Sequence, residues 1–301
     1  MKVIVMTGAT SGIGAEALKH LVDQADTLIL IGVRVKNRTL PKGTEILPLD
    51  LASLKSVRQF ADDVKKRIGV IPIDVLILNA GANFGNNTTP NIDGFEPTFG
   101  TNHLSHYLLA RLLWENMSKH SELIFTTSDT HDPALFPFGP KTLDVNALAY
   151  PKNPKDSKGM KAYAASKLCN LLTAKYFAES DLIAKKGIRT IAYNPGATSG
   201  TALGGNQPAV AKFMMKVVFP PIMRFIGLFK SQFYVGSVKR AGEALAELAL
   251  GKVVVPKGKF YASLVKGKIM FPNPSKLAQT TDAKETLWNE SAGMVGLPVD
   301  I

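Results

Sequence analysis

Apolar runs of strand length recur through the first two-thirds of the chain, and helix-period segments separate most of them. The runs are Val3–Met6, Thr27–Val33, Glu45–Leu49, Val75–Leu78, Leu123–Thr127 and Arg189–Tyr193. The clearest intervening segment puts Leu54, Val57, Phe60, Ala61, Val64 and Ile68 on one face, with Ser53 at the N-cap position. Strands alternating with helices imply βαβ units and a parallel sheet. Strands that are short and apolar on both faces need helices on both sides. The expected fold is therefore α/β: a single doubly wound Rossmann-type parallel sheet with helices on both faces. It occupies residues 1–301 as one domain, interrupted by a long insertion at about 204–230.

Composition narrows the function classes. The 301 residues carry 36 basic against 24 acidic side chains, a net charge of +12. Such a charge attracts polyanions, acidic membrane surfaces or phosphorylated cofactors. The basic residues are spread, with no run of five or more, which argues against a dedicated nucleic-acid arm. Cys169 is the lone cysteine, so no intrachain disulfide forms, and a reducing, cytoplasmic setting is expected. No uncharged apolar run reaches the roughly 18 residues that span a bilayer, and the opening apolar stretch reads as the first strand rather than a signal peptide. A soluble or peripheral protein is expected. The histidines show no ligand spacing, so no metal site is expected.

The first strand runs into "TGATSGIG", Thr7 to Gly14. A glycine-rich turn between a strand and a helix lets a pyrophosphate approach the backbone, where the helix N-terminus offers unpaired N–H groups and partial positive charge. A tight turn without ligand would use the same glycines. The spacing T-G-x-x-x-G-x-G differs from the G-x-G-x-x-G dinucleotide fingerprint.

Later motifs accompany it: "NAG" at Asn79–Gly81 after the fourth strand, "YAASK" at Tyr163–Lys167, and "PG" at Pro195–Gly196 after the sixth. Together, in this order, they resemble the short-chain dehydrogenase/reductase family over nearly all of residues 1–260. "NHLSHYLL", "TSDTH", "GKFYA" and the C-terminal "SKLAQTTDAKETLWNESAGMVGL", read as one helix, resemble its retinol-dehydrogenase-like branch, and "SKLCN" resembles its protochlorophyllide reductases. The resemblance implies cofactor contacts at Gly8, Thr10, Ser11, Gly12, Ile13, Gly14, Asp50, Leu51, Asn79, Ala80, Gly81, Tyr163, Lys167, Pro195, Gly196 and Thr198. Asp50 has a second reading, as a cap of the following helix.

The nucleotide follows from the end of the second strand. A carboxylate there would bind a free ribose 2′-hydroxyl, whereas an Arg accommodates a 2′-phosphate. Val33 stands at the acid position and Arg34 follows, with Lys36 and Arg38 behind. NADP(H) is expected as cofactor.

Tyr163 and Lys167 are four apart on a strongly helical segment, so their side chains lie one turn apart on one face. A neighbouring ammonium is expected to lower the phenol's pKa and bring it toward the working range. The resemblance implies a catalytic set of Asn102, Ser128, Tyr163 and Lys167: Ser128 binds the substrate oxygen, and Asn102 orders a water in a relay to the lysine, which also holds the nicotinamide ribose. The expected reaction is hydride transfer between nicotinamide and a small-molecule carbonyl or alcohol. A catalytically silent nucleotide sensor or scaffold is the alternative, although a sensor has no need of the four side chains.

Cys169 is read as a small buried apolar residue and His131 as a satisfied loop histidine. The insertion Ala209–Lys230 mixes Lys212, Lys216 and Arg224 with Phe, Met and Val, broken at Pro220-Pro221. It reads as an apolar lid, as an amphipathic membrane contact, or as a core-packing helix pair. Either of the first two favours a lipophilic substrate. Nucleic acid is not an expected partner, and oligomeric state is not legible.

Overall fold

A computed structural model describes residues 1–34, 41–153, 158–199 and 234–301. Lys36, Arg38 and the insertion at 204–230 lie outside the described residues. The strands are β1 (Lys2–Thr7), β2 (Thr27–Val33), β3 (Thr44–Pro48), β4 (Ile73–Leu78), β5 (Met117–Thr126), β6 (Arg189–Asn194), β7 (Thr198–Ser199), β8 (Gly236–Ser237), β9 (Tyr261–Val265) and β10 (Lys268–Met270). The helices are α1 (Gly12–Leu21), α2 (Leu54–Ile68), α3 (Pro97–Phe99), α4 (Ser105–Leu113), α5 (Val145–Ala149), α6 (Gly159–Glu179), α7 (Asp181–Lys186), α8 (Val238–Ala249), α9 (Lys276–Gln279) and α10 (Thr281–Met294).

Eight strands form one sheet in the order β10-β9-β6-β5-β4-β1-β2-β3, while β7 and β8 pair separately. All neighbours in the large sheet are parallel except the β9–β10 hairpin. The order reverses at β1 and β4, so a crevice opens beyond their carboxyl ends, where open α/β sheets bind ligands.

Both faces of the sheet are covered. Along β1, Val3 and Val5 join one core with Phe60 of α2 and Leu108 of α4, whereas Ile4 and Met6 join the other with Ala17 of α1 and Leu245 of α8. This two-residue alternation is why the strand reads as a continuous apolar run. Val57, Phe60, Ala61, Val64 and Ile68 of α2 are buried as its periodicity predicts, and the Ser53 hydroxyl accepts the Ser56 N–H.

The departures have local causes. The hairpin β9–β10 is absent from the sequence reading because its segment is short and interrupted at Lys266-Gly267, both at positive φ. The C-terminal stretch is not one helix. It breaks at Thr280, which is extended and caps α10 through the Ala283 N–H. α6 ends at Glu179, before an extended Ser180. Cys169 is fully buried in the core, where burial pushes its thiol up.

Candidate active site

β1 delivers the chain into the crevice at Thr7. The next turn is backbone laid against backbone. A Cβ on Gly14 would stand 2.0 Å from the Gly8 carbonyl oxygen, and one on Gly8 would stand 2.6 Å from the Ala80 Cα. Gly12 differs: its φ is +56°, and an added Cβ would meet nothing within 4 Å because it would project into open space. The N-cap Ser11 makes no side-chain cap bond, and no acidic residue occupies the first turn of α1. That leaves the helix N-terminus a cradle for an anion.

A cavity of about 580 Å³ lies over this turn. It is lined by Gly8, Thr10, Ser11, Gly12, Ile13, Gly14, Arg34, Asp50, Leu51, Asn79, Ala80, Gly81, Tyr163, Lys167 and Pro195. Of the cofactor contacts expected from sequence, Gly196 and Thr198 do not line it. Gly196 has positive φ and donates its N–H to Asn194 Oδ1 at 3.0 Å, while Thr198 belongs to β7. Of the catalytic residues expected from sequence, Tyr163 and Lys167 line the cavity, whereas Asn102 and Ser128 do not. Asp50 does not cap α2; its carboxylate accepts the Ala52 N–H at 3.1 Å in an Asx turn. The residues present fit a dinucleotide: an uncapped helix start, a glycine whose missing side chain opens the cavity, and an exposed Arg34 at the end of β2.

Behind the cavity, hydrogen bonds tie the phosphate end to the catalytic end. Thr7 Oγ1 accepts the Asn79 N–H at 3.0 Å and the Ala80 N–H at 3.1 Å. Both lone pairs are then used, so the hydroxyl proton goes to His106 Nε2, 3.0 Å away. This fixes the tautomer: His106 Nδ1–H donates to the Asn102 carbonyl at 3.0 Å. Burial lowers the His106 pKa to about 3, which keeps the ring neutral. Asn102 sits in a π-helical turn, Gly100–Leu104, of the kind often found at functional sites. Its side chain accepts the Ala82 N–H at 2.8 Å and donates to Ala82 O at 2.8 Å and to Ser166 Oγ at 3.1 Å. Asn102 thus clamps the segment that follows Asn79–Gly81 against α6.

Lys167 is 2% exposed. Its ammonium donates to Thr126 O at 3.0 Å and lies 5.5 Å from the centre of the Tyr163 ring. Burial lowers its pKa to about 8. The expected lowering of the Tyr163 phenol is not found. Burial is the largest influence and pushes the phenol up, the nearby Asp129 carboxyl pushes it further, and a hydrogen bond to Ser128 opposes both. In a dry pocket, desolvation of the phenolate outweighs the field of one lysine.

Ser128 lies two residues beyond β5 and starts a short turn, Asp129–His131. Its carbonyl accepts His131 Nδ1–H at 2.6 Å, and His131 Nε2 accepts the Ser275 N–H at 3.2 Å. His131 is therefore a satisfied, buried histidine that anchors Ser128. Thr7, His106 and Asp129 are missed by the sequence reading. His106 stands four residues after Asn102, so helical spacing alone could have placed it on the same face. Asp129 carries no signal beyond standing next to Ser128. Among the described residues no cluster of side chains could hold a metal ion.

Comparison with known proteins gives this arrangement its context. The model of the short chain dehydrogenase family matches residues 2–134, from the start of β1 past Ser128. Protochlorophyllide reductase of Pisum sativum is 31% identical over 331 residues, covering 98% of this chain and 78% of the relative. The crystal structure of an uncharacterised protein from Mycobacterium paratuberculosis has a TM-score of 0.69 at 24% identity, covering 100% of this chain and 96% of that one. An alcohol dehydrogenase from the archaeon Thermococcus sibiricus, complexed with 5-hydroxy-NADP, has a TM-score of 0.58 at 20% identity, covering 91% and 99% of the two chains. These two structures share the fold. Matched along nearly its whole length by a relative 31% identical, and with glycine turn, tyrosine and lysine on one cavity, the chain belongs to the short-chain dehydrogenase family of oxidoreductases, in its protochlorophyllide-reductase-like branch.

Proposed function

We propose that the chain is a single-domain, NADP(H)-dependent reductase or dehydrogenase that moves hydride between nicotinamide and the carbonyl or alcohol of a lipophilic small molecule. One observation carries this reading: Arg34, the glycine turn, Tyr163 and Lys167 line a single cavity. Arg34 supports NADP(H) because β2 ends without a carboxylate, and a guanidinium there pairs with a 2′-phosphate. The 5-hydroxy-NADP bound to the Thermococcus sibiricus enzyme is in keeping with that choice. A nicotinamide held in the cavity would supply the hydride.

The chain's own residues handle the proton. The Tyr163 phenol, held protonated by burial, gives its proton to the substrate oxygen in reduction and takes one in oxidation. The Ser128 hydroxyl steadies the charge that develops on that oxygen. Lys167 would hold the cofactor ribose beside them, and Asn102 and His106 hold the frame. The insertion at 209–230, apolar with interspersed cations, covers the substrate or touches an anionic membrane. No helix among the described residues is long and apolar enough to cross a membrane. A cytoplasmic setting is proposed from the single cysteine.

NADPH and NADH titrations test the cofactor reading. Arg34 predicts tighter NADPH binding, and equal affinity overturns it. A carbonyl panel followed by NADPH absorbance loss tests the reaction, and sedimentation with anionic liposomes tests the membrane contact.

A further inference from the structure

A serine hydroxyl has one proton to donate and two lone pairs to fill. At Ser128 these are contested. Its oxygen accepts the Thr130 N–H at 3.3 Å and lies 3.4 Å from Asp129 Oδ1. The same serine acts on the Tyr163 phenol, easing its ionisation against burial. Asp129 is only 8% exposed, an unusual place for a carboxyl group. Its carboxyl group accepts from the Ser128 hydroxyl, and nearby backbone N–H groups and the Asn194 side chain favour its charged form against burial. Among the described residues no cation figures in the groups acting on it. The groups facing it are the phenols of Tyr163 on α6 and Tyr261 on β9, both made harder to ionise by its charge. On its own turn stand His131, neutral and engaged at both nitrogens, and Asp132.

We propose that Asp129 is a positioning residue whose protonation state decides where the Ser128 hydroxyl proton points, and so whether the site receives a carbonyl oxygen. As a carboxylate, Asp129 only accepts, and it claims the Ser128 proton; an incoming carbonyl then meets a lone pair. As a carboxylic acid, it donates to the Ser128 oxygen, and the serine proton is released toward the substrate. The step is one proton taken from solvent, forming an O–H bond on Asp129, with no change of oxidation state. Burial supports the neutral form by raising the carboxyl to about 6. The site is thus most receptive to carbonyls below that pH and loses this receptivity as pH rises through it. The inference rests on the role given to Ser128 under Proposed function.

Carboxyl carbon NMR of aspartate-labelled, cofactor-free protein tests it without a substrate. Asp129→Asn assigns the resonance by its loss. The expected midpoint is near 6, and Ser128→Ala moves it higher by removing a bond that favours the anion. A midpoint in the usual aspartate range, or one unmoved by Ser128→Ala, overturns the proposal; should Asp129→Asn not fold, Asp129→Glu assigns the resonance by the same loss. For carbonyl reduction with NADPH, wild-type kcat/KM should fall about tenfold per pH unit above the midpoint, and Asp129→Asn should abolish that fall. Identical profiles overturn the proposal. If no carbonyl is reduced at all, the functional reading fails while the NMR titration still decides the hydrogen bond.

Discussion

The two ends of the cavity are built by opposite means. At the phosphate end the chain removes side chains: Gly8, Gly12 and Gly14 lie within seven residues, and the binding surface is backbone. At the catalytic end it collects side chains from remote segments. Asn102 comes from a π-helical turn, Ser128 from beyond β5, and Tyr163 and Lys167 from α6; all but Ser128 are buried. A grip on an anion can be written locally, because a helix N-terminus needs only room. Control of a proton needs desolvated groups in fixed partnerships, which only the folded chain assembles. The chain Thr7–His106–Asn102 joins the two ends.

The contrast can be broken most forcefully at the catalytic end. Tyr163→Phe should lower turnover by about 10²- to 10⁴-fold with NADPH affinity retained by fluorescence titration; an active variant removes the tyrosine from the mechanism. At the phosphate end, two glycine substitutions should separate fold from grip. Gly14→Ala drives its Cβ onto the Gly8 carbonyl at 2.0 Å, and thermal unfolding should show a loss of about 3 kcal/mol. Gly12→Ala meets open space at a φ of +56°. It should lose only about 1–2 kcal/mol while NADPH binding collapses. Equal losses of stability would mean that the two glycines do the same job.

The link between the ends is tested by Thr7→Val, which strands the Asn79 and Ala80 N–H groups and His106 Nε2. About 1–3 kcal/mol of stability should go, read by urea unfolding. The same buried frame also makes stability depend on pH. Burial lowers both His103 and His106 to about 3 from an ordinary 6.5. Their neutral forms favour the folded state, so the stability they protect is intact above 6.5 and is lost as pH falls toward 3. Each should cost about 1.4 kcal/mol per pH unit in that window. A His106→Asn variant should show a shallower acid limb.

The sheet and the phosphate end were legible because both are local patterns. Strand β1 through β4 and the helix α2 follow from apolar periodicity, and the glycine turn from its spacing. What stayed hidden depends on distant partners. The first half of β5, Met117–Ser121, has no apolar run and pairs with β4 only at Met117 opposite Ile73. β9 and β10 are short, and their place beside β6 is set by packing. Tyr163 and Lys167 do share α6 and line one cavity, yet the direction of the phenol's shift escaped the sequence, since it depends on burial and on Asp129. Neither is visible in the spacing of Tyr163 and Lys167.

The central claim is that one cavity brings a nicotinamide to Tyr163. A crystal structure with NADP⁺ tests it most directly. The pyrophosphate should lie over Gly12–Gly14, the 2′-phosphate against Arg34, and the nicotinamide beside the Tyr163 hydroxyl with room for a substrate carbon about 3–3.5 Å from the reacting atom. A dinucleotide bound with its nicotinamide turned away from Tyr163, or one bound outside this cavity, would contradict the account.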